Sequence, residues 1–209
     1  MNRFIRKIRN YGLGASILIV IRKITEKAFR FSWQSMYLLS MDTYGFEARI
    51  PLNGKRVVSP TLDDFNQECK DTFLSKQKTD IFGERYTNDD TEIVGIEDEG
   101  ELACVGWVYY GEVSVGGKFQ LIKEPSIALL YDDFTLPSHR GRHLHRILNE
   151  QRVLMACGHG CKKCYTVVYT HNKPSLNNYL KIGMKIENRF CVYHLGNRYH
   201  CTLKSTKML

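Results

Sequence analysis

The sequence predicts an α/β domain: a mixed, mostly antiparallel twisted sheet with flanking helices, preceded by amphipathic helices at the N-terminal end. Three observations predict it. Short apolar runs rich in β-branched and aromatic residues recur between turn signals through the first two thirds of the chain. From residue 126 onward the pattern becomes strand, helix, strand, helix, strand, strand, the alternation that gives a mixed sheet. The chain has 209 residues, 43% of them hydrophobic and 25% charged, which is enough for a real core in one domain with an extension.

The elements follow in order. Phe4, Ile8 and Tyr11, then Ile17, Leu18, Ile21, Ile24 and Ala28, keep helical spacing, and Gly12 and Gly14 divide this stretch into two helices. Residues 33–42 read as a strand. Ser59-Pro60-Thr61 before LDDFNQECKDTFL reads as a capped helix start with Pro in its first turn. Residues 91–97 and 102–110 are joined by Asp98-Glu99-Gly100-Glu101, a hairpin, and a second hairpin or loop passes through Gly116-Gly117. A strand over 126–135, a helix over 142–157 ended by Gly158 and Gly160, a strand over 164–170 and a helix over 174–182 closed by Gly183 follow. Residues 185–195 and 198–204 pair across Gly196-Asn197.

Charge and cysteine usage limit the function classes. The net charge is +8, and residues 1–31 carry eight Lys and Arg against Glu26 alone. The rest is close to neutral, which argues against a nucleic-acid-binding body. The division expected is therefore a basic helical arm over 1–31 and a folded domain over 32–209. The arm has two readings: a helix packed on the domain or on a second subunit, or a basic amphipathic helix on an anionic membrane surface. The N-terminal apolar run, Ala15–Ile21, is too short to span a bilayer, and RKITEK follows where a signal-peptide cleavage site would stand. Seven cysteines without an extracellular framework read as reduced thiols in a cytosolic protein.

The stretch with most chemical content is IALLYDDFTLPSHRGRHLHR, residues 127–146. An apolar strand enters a Pro-punctuated turn, then a basic Gly-containing turn, then an amphipathic helix. First-turn amides and the helix dipole make such a junction an anion site, and Arg140, Arg142 and Arg146 add full charge. A diphosphate suits it. The segment Thr135-Leu136-Pro137-Ser138-His139-Arg140-Gly141-Arg142-His143-Leu144-His145 resembles the strand-to-helix signature of the GCN5-related N-acetyltransferase (GNAT) superfamily. Pro137, Arg140, Gly141 and Leu144 stand where that family places them, whereas His143 and His145 replace its two later glycines. Asn172, Tyr179 and Gly183 match the family's next motif in register, with Ser175 and Met184 as near substitutes. The motifs cover about residues 126–186, and the arm lies outside the resemblance.

What the resemblance implies is an acetyl-CoA-dependent N-acetyltransferase, with acetyl-CoA as cosubstrate and no metal. The residues from Arg140 through Arg146, with Asn172 and Ser175, would hold the cofactor. Phe134, Thr135 and Leu136 would carry the pantetheine arm and present backbone donors to the thioester oxygen. Tyr179 would protonate the leaving thiolate. The base is not legible: strand alternation puts Asp133 on the face of Tyr131 and Thr135, where it could accept a proton, and ordered water is the alternative. Asp132 and Asp133 could instead merely end a strand or bind a backbone amide. Lys173 and Arg142 suit the adenosine-side phosphate. Cys157, Cys161 and Cys164 around His159 fit no usual zinc spacing and have a simpler role as helix end, turn and strand start. No cysteine occupies a strand-to-helix nucleophile turn. The acceptor is an open small-molecule or peptide amine; an amino sugar of a polysaccharide precursor would suit Trp107-Val108-Tyr109-Tyr110, and core packing would explain that strand as well. A long-chain acyl-carrier donor and a non-catalytic binding module of the same fold are the competing readings.

Overall fold

The computed structural model describes residues 12–29, 31–65, 70, 76–115, 119–196 and 198–203. Among the described residues, helices α1 (Leu13–Phe29), α2 (Lys76–Tyr86), α3 (Leu144–Gly158) and α4 (Lys173–Lys181) accompany ten strands. These are β1 (Phe31–Asp42), β2 (Arg56–Val58), β3 (Thr91–Asp98), β4 (Glu101–Tyr110), β5 (Val113–Val115), β6 (Phe119–Ile122), β7 (Ile127–Thr135), β8 (Lys163–Tyr169), β9 (Lys185–Leu195) and β10 (Arg198–Cys201). The fold class is the predicted one, mixed α/β with mostly antiparallel pairing. Most of the expected elements form within a residue or two of their predicted ends. After Thr61 the expected capped start is present as a 3-10 turn, Leu62–Asp64, with Asp64 accepting from the Thr61 amide and hydroxyl, and Lys70 further along is helical. Most of the remaining stretch lies outside the described residues, as do the first N-terminal helix and the Gly116-Gly117 turn.

The chain divides into two compact units. One comprises Met41–Val113 and Ile122–Thr166. In it β2, β3, β4 and β7 pair antiparallel in that order, and β7 pairs β8 in parallel over Ile127–Leu130 and Lys163–Thr166. The β3–β4 turn uses Glu99 at φ 56° and Gly100 at φ 81°, the two left-handed residues that match hairpin twist. Phe65, Phe82, Ile93, Leu102, Val105, Trp107 and Leu136 form its core, with Tyr131 and Phe134 packed against it. Phe82 meets Trp107 edge-on with centroids 5.0 Å apart. Trp107 is thus a core residue and not a sugar platform.

The other unit comprises Met1–Ser40, Ser114–Leu121 and Val167–Leu209. It groups the N-terminal segment with the C-terminal fifth of the chain. β1 pairs β9 antiparallel from Phe31↔Leu195 to Ser40↔Lys185, and β9 pairs β10. The end of β8 joins β1 through the Thr170 amide, which donates to the Ser35 carbonyl at 2.9 Å.

Candidate functional site

The predicted site residues fall in both units. In the larger unit the decisive feature is a bulge in β7. Tyr131 pairs with Trp107, but Val105 pairs with Phe134, so Asp132 and Asp133 together oppose Gly106. Asp132 adopts φ 52°. An extra residue reverses the alternation beyond it. Tyr131 and Phe134 therefore share the core face, and Asp133 turns the opposite way, toward α3. This corrects the expected placement of Asp133 beside Tyr131; a two-residue period holds only while the ladder is unbroken.

Each acidic residue of the bulge is held by an arginine from a different helix. Arg85 of α2 donates to Asp132 at 2.8 Å, and its guanidinium lies over the rings of Tyr131 and Trp107 at 4.7 and 5.6 Å. Arg152 of α3 is fully buried. Its Nη2 lies 2.5 Å from Asp133 and also meets Asn149, while Nη1 donates to the carbonyls of Trp107 at 3.0 Å and Tyr131 at 3.2 Å. Gly106 makes room for it, because a Cβ there would stand 2.7 Å from Nη1. His145 Nε2 approaches the other Asp133 oxygen at 2.7 Å. Asp132 and Asp133 do not end the strand, which runs on to Thr135; they stand at its bend.

After β7 the chain makes a 3-10 turn over Pro137–His139 and reaches α3 through Gly141 at φ 88° and His143 at φ 61°. The helix starts at Leu144, two residues later than predicted, because His143 is left-handed. His143 caps α3 without a side-chain hydrogen bond, its carbonyl receiving the Arg146 and Ile147 amides. Thus His143 keeps a left-handed backbone that glycine would adopt without strain. A left-handed non-glycine residue costs about 1–2 kcal/mol, and glycine returns part of that gain through its looser unfolded chain. His143→Gly should therefore raise stability by up to about 1 kcal/mol, read as the urea midpoint. A lower midpoint would mean that the imidazole is itself stabilising.

The three arginines of the turn are not equivalent. Arg142 is bound to Asp98 at 3.0 Å and Glu99 at 2.7 Å, and these bonds raise its pKa, Glu99 contributing most. Its charge is already met by carboxylates. Arg140 Nε donates to the Thr135 carbonyl at 3.3 Å. Arg146 Nε is buried without a hydrogen-bond partner among the described residues, and an anion at the helix start would satisfy it. The strand end differs from expectation at one atom: the Leu136 amide donates to the Ala103 carbonyl at 2.9 Å, so it has no donor left for a substrate oxygen.

In the smaller unit Asn172 accepts from the Ser175 amide at 3.4 Å and, with Pro174, sets the start of α4. Tyr179 lies on that helix and is 1% exposed. Lys173 is exposed. Beside Asn172 the same unit has a cleft of about 210 Å³ lined by Arg22, Trp33, Tyr169, His171 and Arg189 among others. Sequence reading missed it. Arg22 Nε is buried there without a partner among the described residues. Burial first, and then the charge of Arg22, hold His171 below its ordinary value of 6.5. The unfolded chain thus binds this proton more readily, so the contribution of His171 to stability is full above about pH 6.5 and declines as pH falls. The urea midpoint should drop between about pH 7.5 and 5.5, and His171→Gln should shrink that drop. An equal drop in the variant would refute the assignment.

Cys157, Cys161 and Cys164 lie at the end of α3, the turn after it and the start of β8, whereas Cys104 Sγ stands 3.0 Å from Thr135 Oγ1. Burial raises the thiol pKa of Cys157, Cys161 and Cys164. Among the described residues no three or more His, Cys, Asp or Glu side chains gather as a metal site.

No protein-family model and no curated protein matches the chain. Solved structures do. AAC(6')-Iy, in complex with the bisubstrate analogue CoA-S-monomethyl-acetylneamine, aligns at TM-score 0.53 and 14% identity over 64% of this chain and 92% of its own. A GNAT-family acetyltransferase from Colwellia psychrerythraea gives 0.57 at 12% identity over 79% and 57% of the two chains. The GCN5-related glucosamine N-acetyltransferase region of a fungal multi-domain β-N-acetylglucosaminidase gives 0.58 at 13% identity, over 87% of this chain and 23% of that one. The bulged strand, the left-handed turn and the helix that follows it thus belong to a chain with the fold of the GCN5-related N-acetyltransferases.

Proposed function

We propose that the protein is an acetyl-CoA-dependent N-acetyltransferase that moves an acetyl group directly to a primary amine in a ternary complex. The observation that carries this reading is the β7–α3 junction: left-handed backbone at Gly141 and His143, a helix start with no side-chain cap, and a buried Arg146 Nε without a partner among the described residues. A diphosphate supplies the charge such a junction lacks. Arg140 and Arg146 would hold it, with the amides of residues 141–145. Arg142 serves instead to fasten the turn to the β3–β4 hairpin.

The chemistry falls to a few groups. A backbone donor at Thr135 would stabilise the thioester oxygen as charge develops on it. Tyr179 would give its proton to the departing thiolate. Asp133 is bound by both Arg152 and His145, so it holds the bend of the strand, and the proton of the amine leaves through ordered water. The acceptor reading is an amino sugar or another small primary amine.

One observation favours a second reading. With Arg142 neutralised and two histidines in place of glycines, the junction could be too weak for acetyl-CoA, leaving a non-catalytic module. Calorimetric titration of the purified protein with acetyl-CoA decides between them. Micromolar binding that falls at least about tenfold in Arg146→Ala supports the enzyme, since a charge-assisted hydrogen bond is worth about 1.5–3 kcal/mol. Absence of binding favours the module.

A further inference from the structure

Helix α1 is amphipathic, yet its apolar side is the side left in water. Leu13, Ile17, Leu18, Ile21 and Ile24 are between 43% and 59% exposed. At about 100° per residue, four of these side chains fall within an arc of about 80°, and Leu18 widens it to about 140°. The more covered positions are Ser16, Ile19, Val20, Arg22 and Thr25. Ser16 is buried and returns its hydroxyl to the Gly12 carbonyl at 2.8 Å. Five large aliphatic side chains on one exposed helical face form the kind of patch that marks an interaction site.

The charge of the unit that bears this face identifies the partner. Of the 30 Lys and Arg residues, 16 belong to that unit, against Glu26 and Glu187 as its only acids, a net of +14. The other unit holds the remaining 14 basic and 20 acidic residues, a net of −6. The basic character is thus shared by the N-terminal segment and residues 167–209 and is not confined to an arm. A second copy docked through the same face would bring two such positive units together. An anionic surface with an apolar layer beneath it satisfies both the stripe and the charge.

We propose that α1 is an in-plane membrane anchor that lays Leu13, Ile17, Ile21 and Ile24 into the acyl boundary of an anionic bilayer while the basic residues of its unit meet the lipid headgroups. No described helix is long and apolar enough to cross a membrane; the helix lies in the interface. The inference does not depend on the acetyltransferase reading.

Co-sedimentation of the full chain with vesicles tests it. Vesicles of 7:3 phosphatidylcholine and phosphatidylglycerol should retain the protein at low salt, at least about tenfold more strongly than phosphatidylcholine alone, and added salt should weaken retention. Ile17→Asp with Ile21→Asp should reduce binding at least about tenfold with an unchanged melting temperature, because these side chains support no core. Ile21→Trp gives an independent readout: its added emission should shift to the blue only with the anionic vesicles. Protein left in the supernatant with anionic vesicles at low salt overturns the proposal. So does equal binding by the double Asp variant, which would reduce the contact to charge alone. A concentration-dependent dimer in sedimentation velocity that the double variant abolishes would assign the stripe to a second copy instead.

Discussion

Replacing Arg152 with alanine is expected to lower the unfolding free energy by about 3–5 kcal/mol, the usual cost of leaving a buried charge without its partner. The guanidinium is fully buried and serves four acceptors at once: the Asp133 carboxylate, the Asn149 side-chain oxygen and the carbonyls of Trp107 and Tyr131. Its loss strands all four in a place that Gly106 leaves open for the guanidinium. Arg152→Met paired with Asp133→Asn should cost less than Arg152→Ala alone, because the buried carboxylate goes with its partner. Urea unfolding of the single and double variants measures this. A single-variant loss below about 1 kcal/mol would mean that water reaches Asp133 and that the bulge does not depend on the ion pair.

Tyr179→Phe is expected to slow acetyl transfer by about 10²–10⁴-fold in single-turnover measurements, the range for a positioned general acid. The ring, buried on α4, keeps its packing in the variant. Stability should therefore change by no more than about 1.5 kcal/mol, the worth of one hydrogen bond. Acetyl-CoA affinity should be retained. A purely structural tyrosine would move stability and leave the single-turnover rate in place.

The strands, the two C-terminal helices and the turn were legible because each has a local cause. Apolar alternation, the Asn172 cap and the Pro137 and Gly141 punctuation act within a few residues of themselves. The bulge was not legible. It depends on Gly106 and Arg152, which lie 26 and about 20 residues away along the chain from Asp132 and Asp133 and meet them only when the ladder forms. One trace was present: Leu144, Leu148 and Arg152 continue a single four-residue spacing on α3, so a charged residue stood on its apolar stripe. The pairing of Arg142 with Asp98 and Glu99 was hidden for the same reason, since those carboxylates belong to a distant hairpin. The exposure of the α1 stripe was out of reach as well: periodicity identifies an apolar face but not what covers it.

The backbone of His143 bears on how such a chain can be inherited. Selection at this position acts on a torsion angle, φ 61°, and only indirectly on a side chain. Glycine, asparagine, aspartate and histidine tolerate that angle, whereas β-branched residues do not. A lineage can therefore exchange one tolerant residue for another and keep the shape of the turn while the letters of its signature drift. Comparison by shape would then continue to find relatives after comparison by sequence had ceased to, and a saturation library at position 143 should return that short set of tolerated residues.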